Sequence, residues 1–263
     1  MKAVILVGHG SRTEKGNQDF IWFAMKVKKA INVPIHGLAF LEKASPSIPE
    51  AINKCVNQGA TAITILPILL LPGIHANVDI PFEMEQAKRQ FPQVSFHYAN
   101  PIGVDEVMVK IIKKRLTEKK FENQVDEQVL LIGHGSREGQ AAIEFEQIAV
   151  LTRKSIQSKV EIGYLKGNPS YREVLQNQVK ASTNKLYIVP YLLLSGGFTV
   201  QIEQFVCKKS LQYSNIDMIL CNPIGFDDAL IELLCKRMKE VNHSQSFYWK
   251  GTDVHERVLS ASY

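Results

Sequence analysis

The pentapeptide GHGSR occurs twice in the chain, at residues 8–12 and 133–137, each time directly after a short apolar run. Around it the resemblance continues. VILVGHGSR matches VLLIGHGSR with an offset of 125 residues at the histidines. ITILPILLLPG (63–73) aligns with LYIVPYLLLSG (186–196) at 123, and NPIGVDEVMVKIIKKRL (100–116) with NPIGFDDALIELLCKRM (222–238) at 122. Three segments in the same order at nearly constant offset mark an internal duplication, and a repeat constrains the architecture before any local reading does. The chain is therefore expected to fold as two similar domains, residues 1–120 and 121–263, joined in the polar stretch around 118–128.

Within the first half, residues 2–7, 33–40, 62–69 and 94–99 are apolar, β-branched runs of strand length. Between them, 17–31, 49–58 and 81–90 carry helical spacing. Strands apolar on both faces and separated by helices imply an α/β fold with a parallel sheet covered on both sides. Each half is expected to be a doubly wound domain with a four-stranded parallel sheet. In such sheets ligands sit beyond the carboxyl ends of the strands, where the strand order reverses. With an order 2-1-3-4, the loops after strands one and three become neighbours there, and His9 and His75 face each other across one cleft.

The 263 residues carry a formal charge of +5. Residues 1–124 hold 16 Lys and Arg against 11 Asp and Glu, whereas 125–263 hold 15 of each, so the whole excess lies in the first half. Basic and aromatic residues are not interleaved as in nucleic-acid binders; a small anionic substrate handled by the first half fits better. The four cysteines are widely spaced without a C-x-x-C pair, which argues against a zinc site and for a reducing, cytoplasmic setting. The N-terminal apolar run is too short for a secretory signal, and no stretch approaches the length of a membrane span.

Glycines on both sides of His9 allow a tight turn at the strand end and leave the imidazole accessible. His75, in LLLPGIHANVDIP, follows a buried strand and precedes a helix. Imidazoles are common ligands for late first-row divalent metals, and two converging ones make a site. Glu42, at the end of strand two in LAFLEKASP, lies on the same sheet edge and could add an oxygen ligand or a proton acceptor. The repeat acts as an internal control: the second half keeps His134 but has Phe198 in place of His75 and Lys166 in place of Glu42. One working site in the first half is expected, with a copy that keeps the turn and not the metal chemistry. Arg12, Arg137 and Lys166 are candidates to meet substrate carboxylates across the cleft. His36 and His97 fall inside predicted strands as core or sheet-face residues. His243 and His255 lie in a polar tail, 242–263, whose aromatic residues 247–249 could dock on the fold.

In combination, strand-GHGSR, FLE after strand two, P-x-L-L-L-x-x-x-H-A before a helix and NPIG after strand four resemble the class II chelatases of the CbiX/SirB type, over nearly the whole chain. The resemblance implies a chelatase inserting a divalent metal into sirohydrochlorin, closest to two-domain bacterial ferrochelatases. His9 and His75 would then be catalytic and metal-holding, assisted by Glu42. Fe2+ is the expected metal substrate, with Co2+ and Ni2+ as alternatives; the histidine-rich or iron–sulfur segments of some long cobalt enzymes are not visible here. The expected partners are the metal and a tetrapyrrole carboxylate, with no nucleic acid, no membrane, no bound redox cofactor and a monomeric state.

Two rival readings start from the same residues. Phosphoryl-transfer enzymes with a histidine nucleophile place an arginine immediately before it, where this chain has Gly8. A non-catalytic metal or tetrapyrrole carrier would use the same histidines, and only turnover separates it from a catalyst.

Overall fold

The computed structural model describes residues 1–136, 139–180 and 184–241. The first half runs β1 (Lys2–Gly8), α1 (Glu14–Ala30), β2 (Ile35–Phe40), α2 (Ile48–Asn57), β3 (Ala62–Pro67), α3 (Ile80–Gln90), β4 (Ser95–Tyr98) and α4 (Glu106–Thr117). The second repeats it as β5 (Glu127–Gly133), α5 (Gly139–Ile156), β6 (Lys159–Tyr164), α6 (Tyr171–Lys180), β7 (Lys185–Pro190), α7 (Gly197–Gln212), β8 (Asp217–Leu220) and α8 (Ala229–Glu240). All strand pairs are parallel, and the orders β2-β1-β3-β4 and β6-β5-β7-β8 are the same 2-1-3-4 arrangement in both sheets. The central strands are apolar on both faces for the expected reason: Val4, Ile5, Leu6 and Val7 are all buried between two helical layers.

Several element ends differ from the periodicity reading, each with a local cause. α1 begins at Glu14, earlier than 17, because the Thr13 side chain accepts from Gly16 N–H and caps it. β2 starts only after Pro34. β3 stops at Pro67 rather than running to 69: proline has no N–H to continue the ladder, and the last bond to β1 is Ile68 N–H to Val7 O at 2.8 Å. β2 also ends two residues before Glu42, which sits in the following loop. His36 Nε2 lies 3.0 Å from the Ile31 carbonyl at the sheet edge, and His97 is buried in β4, as their strand positions imply.

The halves meet through a shared apolar core that includes Phe20, Ile112, Phe145 and Leu234. Around it the polar contacts obey the repeat. Arg115 donates from Nε to Pro223 O and from Nη2 to Ile224 O, both at 2.8 Å. Arg237, 122 positions on, donates to Pro101 O at 3.1 Å and from Nη2 to Ile102 O at 2.6 Å. Lys114 pairs with Asp227 at 2.8 Å, and Lys236 with Asp105 at 2.7 Å. Each half thus offers the other the same patch, the self-complementary pattern of a two-fold interface, here within one chain. The repeated NPIG segments supply the accepting carbonyls and so serve the junction. Among the described residues no helix is long and apolar enough to cross a membrane.

Candidate metal centre

His9 directly follows β1, and the glycines beside it do separate jobs. A Cβ on Gly8 would lie 2.7 Å from the Phe20 ring, so only glycine lets α1 pack against the strand end. Gly10 has φ +86°, and a Cβ there would come within 1.8 Å of the Glu42 carbonyl oxygen. That close approach is made by two backbone bonds that extend the β1–β2 ladder past its end: Leu41 N–H to Gly8 O at 2.9 Å and Glu42 N–H to His9 O at 3.1 Å. Glu42 is thereby held beside His9, with Oε1 3.3 Å from His9 Nδ1.

His75 opens a wide turn, His75–Asp79, in which the Ile80 N–H reaches back five residues to the His75 carbonyl before α3 begins. Such widened turns recur at functional sites because they re-aim one side chain within a helix. Here the His75 Nδ1–H donates to Asp79 Oδ2 at 2.6 Å, which leaves Nε2 as the free nitrogen. Tyr98 OH donates to Ala76 O at 2.8 Å and ties the turn to β4. The His9 and His75 rings stand 4.7 Å apart at 72°.

Among the described residues, His9, Glu42 and His75 form the group able to hold a metal ion, one ligand atom from each lying within 4.8 Å of the others. His9 Nδ1 is buried and makes no well-aligned hydrogen bond although Glu42 Oε1 lies 3.3 Å away, which leaves that nitrogen and oxygen to be bridged by a cation. Burial lowers the His9 pKa below the ordinary histidine value and the nearby His75 lowers it further, so the ring stays neutral at neutral pH. Burial disfavours the Glu42 carboxylate, but the bonded Lys43 ammonium and His9 outweigh it and its pKa is lowered. Two imidazoles and one carboxylate suit Fe2+, Co2+ and Ni2+ alike.

The second half copies the scaffold and changes the chemistry. Gly135 (φ +92°) again makes room for a carbonyl, that of Lys166, held by Leu165 N–H to Gly133 O and Lys166 N–H to His134 O, both 2.9 Å. The His134 and Phe198 rings repeat the first pair at 4.8 Å and 71°, and the Lys166 ammonium lies 5.7 Å from the Phe198 centroid. The two loop sets lie close to each other. A Cβ on Gly73 would lie 3.6 Å from Ser136 Oγ, and the His134 pKa is lowered by burial, by Lys166 and by His9 and His75 opposite. Arg12 is exposed on the first GHGSR loop; Arg137 and the 242–263 tail lie outside the described residues.

Two contributors escape a reading by residue type: Asp79, and Lys43 bonded to Glu42. The repeat held a signal for the first, because Asp79 aligns with Ile202, a buried core residue, so it is lost together with its histidine.

The CbiX family model matches residues 3–119 and 128–241, both halves of the chain. The protein belongs to the CbiX family. Among CbiX relatives, the sirohydrochlorin ferrochelatase of Priestia megaterium is 35% identical over 247 residues, covering 93% of this chain and 92% of the relative. The sirohydrochlorin cobaltochelatase of the same organism is 32% identical over 245 residues, 91% and 80% of the two chains. The solved structure of SirB from Bacillus subtilis with Fe3+ superposes with a TM-score of 0.84 at 34% identity, covering 91% of this chain and 94% of that one. The duplicated α/β architecture is thus the CbiX two-repeat fold.

Proposed function

We propose that this protein is a sirohydrochlorin ferrochelatase, a lyase that inserts Fe2+ into sirohydrochlorin to give siroheme and two protons. The observation that carries the reading is the His9–Glu42–His75 cluster at the sheet edge of the first half, in a chain whose similar relatives include sirohydrochlorin ferrochelatases. Insertion requires a partly dehydrated ion, access to the macrocycle nitrogens and removal of two pyrrole protons. His9 and the Nε2 of His75 hold the ion with Glu42, the Asp79 carboxylate keeping His75 in the tautomer that exposes Nε2. As the ion passes to the four macrocycle nitrogens, the vacated imidazoles and carboxylate accept the two protons and return them to water.

The macrocycle would lie in the cleft between the halves, its carboxylates meeting Lys166, Arg12 and Arg137. Residues 1–120 would be the metal-handling domain and the second domain, 121–263, would supply the other wall, so that one chain completes the site as a monomer; a cytoplasmic, reducing setting is the one its widely spaced cysteines suit. No redox cofactor enters this chemistry. Cobalt is the second reading, favoured by the 32% identity to a cobaltochelatase over 91% of the chain. Anaerobic insertion of Fe2+, Co2+ and Ni2+ into sirohydrochlorin, followed by visible absorption at substoichiometric protein, tests both. Multiple turnovers with Fe2+ fastest support the proposal; cobalt fastest selects the second reading, and stoichiometric binding without turnover makes the protein a carrier.

A further inference from the structure

Lys43 stands at the metal cluster with no part in the chemistry above. Its ammonium bonds Glu42 Oε1, the same oxygen that lies 3.3 Å from His9 Nδ1. The residue does so from a left-handed backbone, φ +62°, a conformation that a residue carrying a Cβ adopts only at a cost. At the aligned position the second half has Gly167, at a different positive φ (+146°), and glycine takes either conformation without a Cβ penalty. The first half thus carries a lysine where a glycine would sit more easily, and that lysine is beside the one carboxylate of the metal cluster.

We propose that Lys43 is a resident counter-ion for Glu42, displaced by the incoming divalent ion, which keeps metal binding loose enough for the ion to be passed on. The inference rests on the reading of His9, Glu42 and His75 as the metal-substrate site. Before metal arrives, the ammonium neutralises the carboxylate that would otherwise face two imidazoles. When the ion takes the Glu42 oxygen, it must displace the ammonium from that oxygen, and the broken Lys43–Glu42 pair is what binding costs. A metal that is substrate must leave for the macrocycle, and tight ground-state binding would only slow that transfer. Lys43 is therefore a positioning residue that acts through Glu42.

The test is calorimetric titration of the apo protein with Co2+ alone at neutral pH, without tetrapyrrole. Lys43→Met and Lys43→Gly are expected to bind Co2+ roughly fivefold more tightly than wild type, the upper range for an exposed ion pair, and Lys43→Arg to match wild type. Lys43→Gly relieves the backbone and suits the loop, so its result does not depend on a strained fold. In a Glu42→Gln background the tightening is expected to vanish. Unchanged or weaker Co2+ binding in Lys43→Met and Lys43→Gly overturns the proposal, as does tightening that persists undiminished with Glu42→Gln. His75→Ala in the same series tests the metal site separately: if it weakens Co2+ binding while the Lys43 variants do not tighten it, the Lys43 proposal fails and the site stands.

Discussion

Asp79 accepts the Nδ1–H of His75 at 2.6 Å, four residues along the same wide turn, and so decides which nitrogen of that imidazole is available. Carboxylates behind a ligating histidine set its tautomer and raise its basicity, and their removal costs about 10- to 100-fold in metal affinity or activity. Asp79→Ala is expected to weaken Co2+ binding and to lower the insertion rate within that range. Asp79→Asn, which can still accept the bond, should lose less. Calorimetric Kd and kcat report the two; equal wild-type values for Asp79→Ala would remove Asp79 from the site.

The second half holds the same scaffold with Phe198 and Lys166 in place of the imidazole and carboxylate, at matching ring geometry. Phe198→His with Lys166→Glu is therefore expected to raise the Co2+ stoichiometry by one site per chain. The new site should be weaker than the first, because Ile202 stands where Asp79 would orient the new histidine. His134→Ala alone should leave Co2+ stoichiometry and affinity unchanged, while His75→Ala weakens them. Titration against wild type reads both; a fall in affinity in His134→Ala would mean the first metal uses the second half as well.

At the junction, Asp227 has a nearly buried carboxylate that receives Lys114 and Arg115 from the other half. Burial alone would raise its pKa, but Lys114, the Ala229 N–H and Arg115 outweigh it and the pKa is lowered. A carboxylate lowered in the folded state contributes stability that is present above the unfolded value and is lost as pH falls through the folded one. Acid should therefore weaken the junction only below the ordinary carboxylate range, and Asp227→Asn should flatten that part of the stability curve. Arg115→Ala takes the Arg115 bond from the Asp227 carboxylate, which keeps Lys114 and the Ala229 N–H, and removes the Arg115 donors to the Pro223 and Ile224 carbonyls, at an expected cost of about 3 kcal/mol. Urea denaturation at neutral and acidic pH measures each; an unchanged midpoint in Arg115→Ala would show that Arg115 adds nothing measurable to the junction.

Much of the candidate site was legible because the chain contains its own comparison. The retained GHGSR marks a turn that both halves need, and the structure gives it a job independent of chemistry: Gly10 and Gly135 admit the carbonyls of Glu42 and Lys166. The residues that differ, His75 against Phe198 and Glu42 against Lys166, then stand out as the chemistry of one half only. The parallel α/β class was legible too, from buried β-branched runs alternating with helices; the order 2-1-3-4 entered only as the condition that brings His9 and His75 together, and the structure has that order.

What composition and spacing could not supply were relations between side chains. NPIG reads as a motif, but that its carbonyls receive Arg115 and Arg237 from the opposite half depends on two helices meeting across the junction. The hold of Asp79 on His75 depends on one extra residue in a helical turn, and that of Lys43 on Glu42 on a left-handed backbone. The sequence by itself determined the duplication, the two parallel α/β halves and which half keeps both histidines and the glutamate, because these follow from repeat and hydrophobic period. Only the tertiary structure decided which nitrogen of His75 is free, which cation holds Glu42 and how the halves lock. Those are matters of distance and direction between groups far apart or oddly turned in the chain, and no linear pattern encodes them.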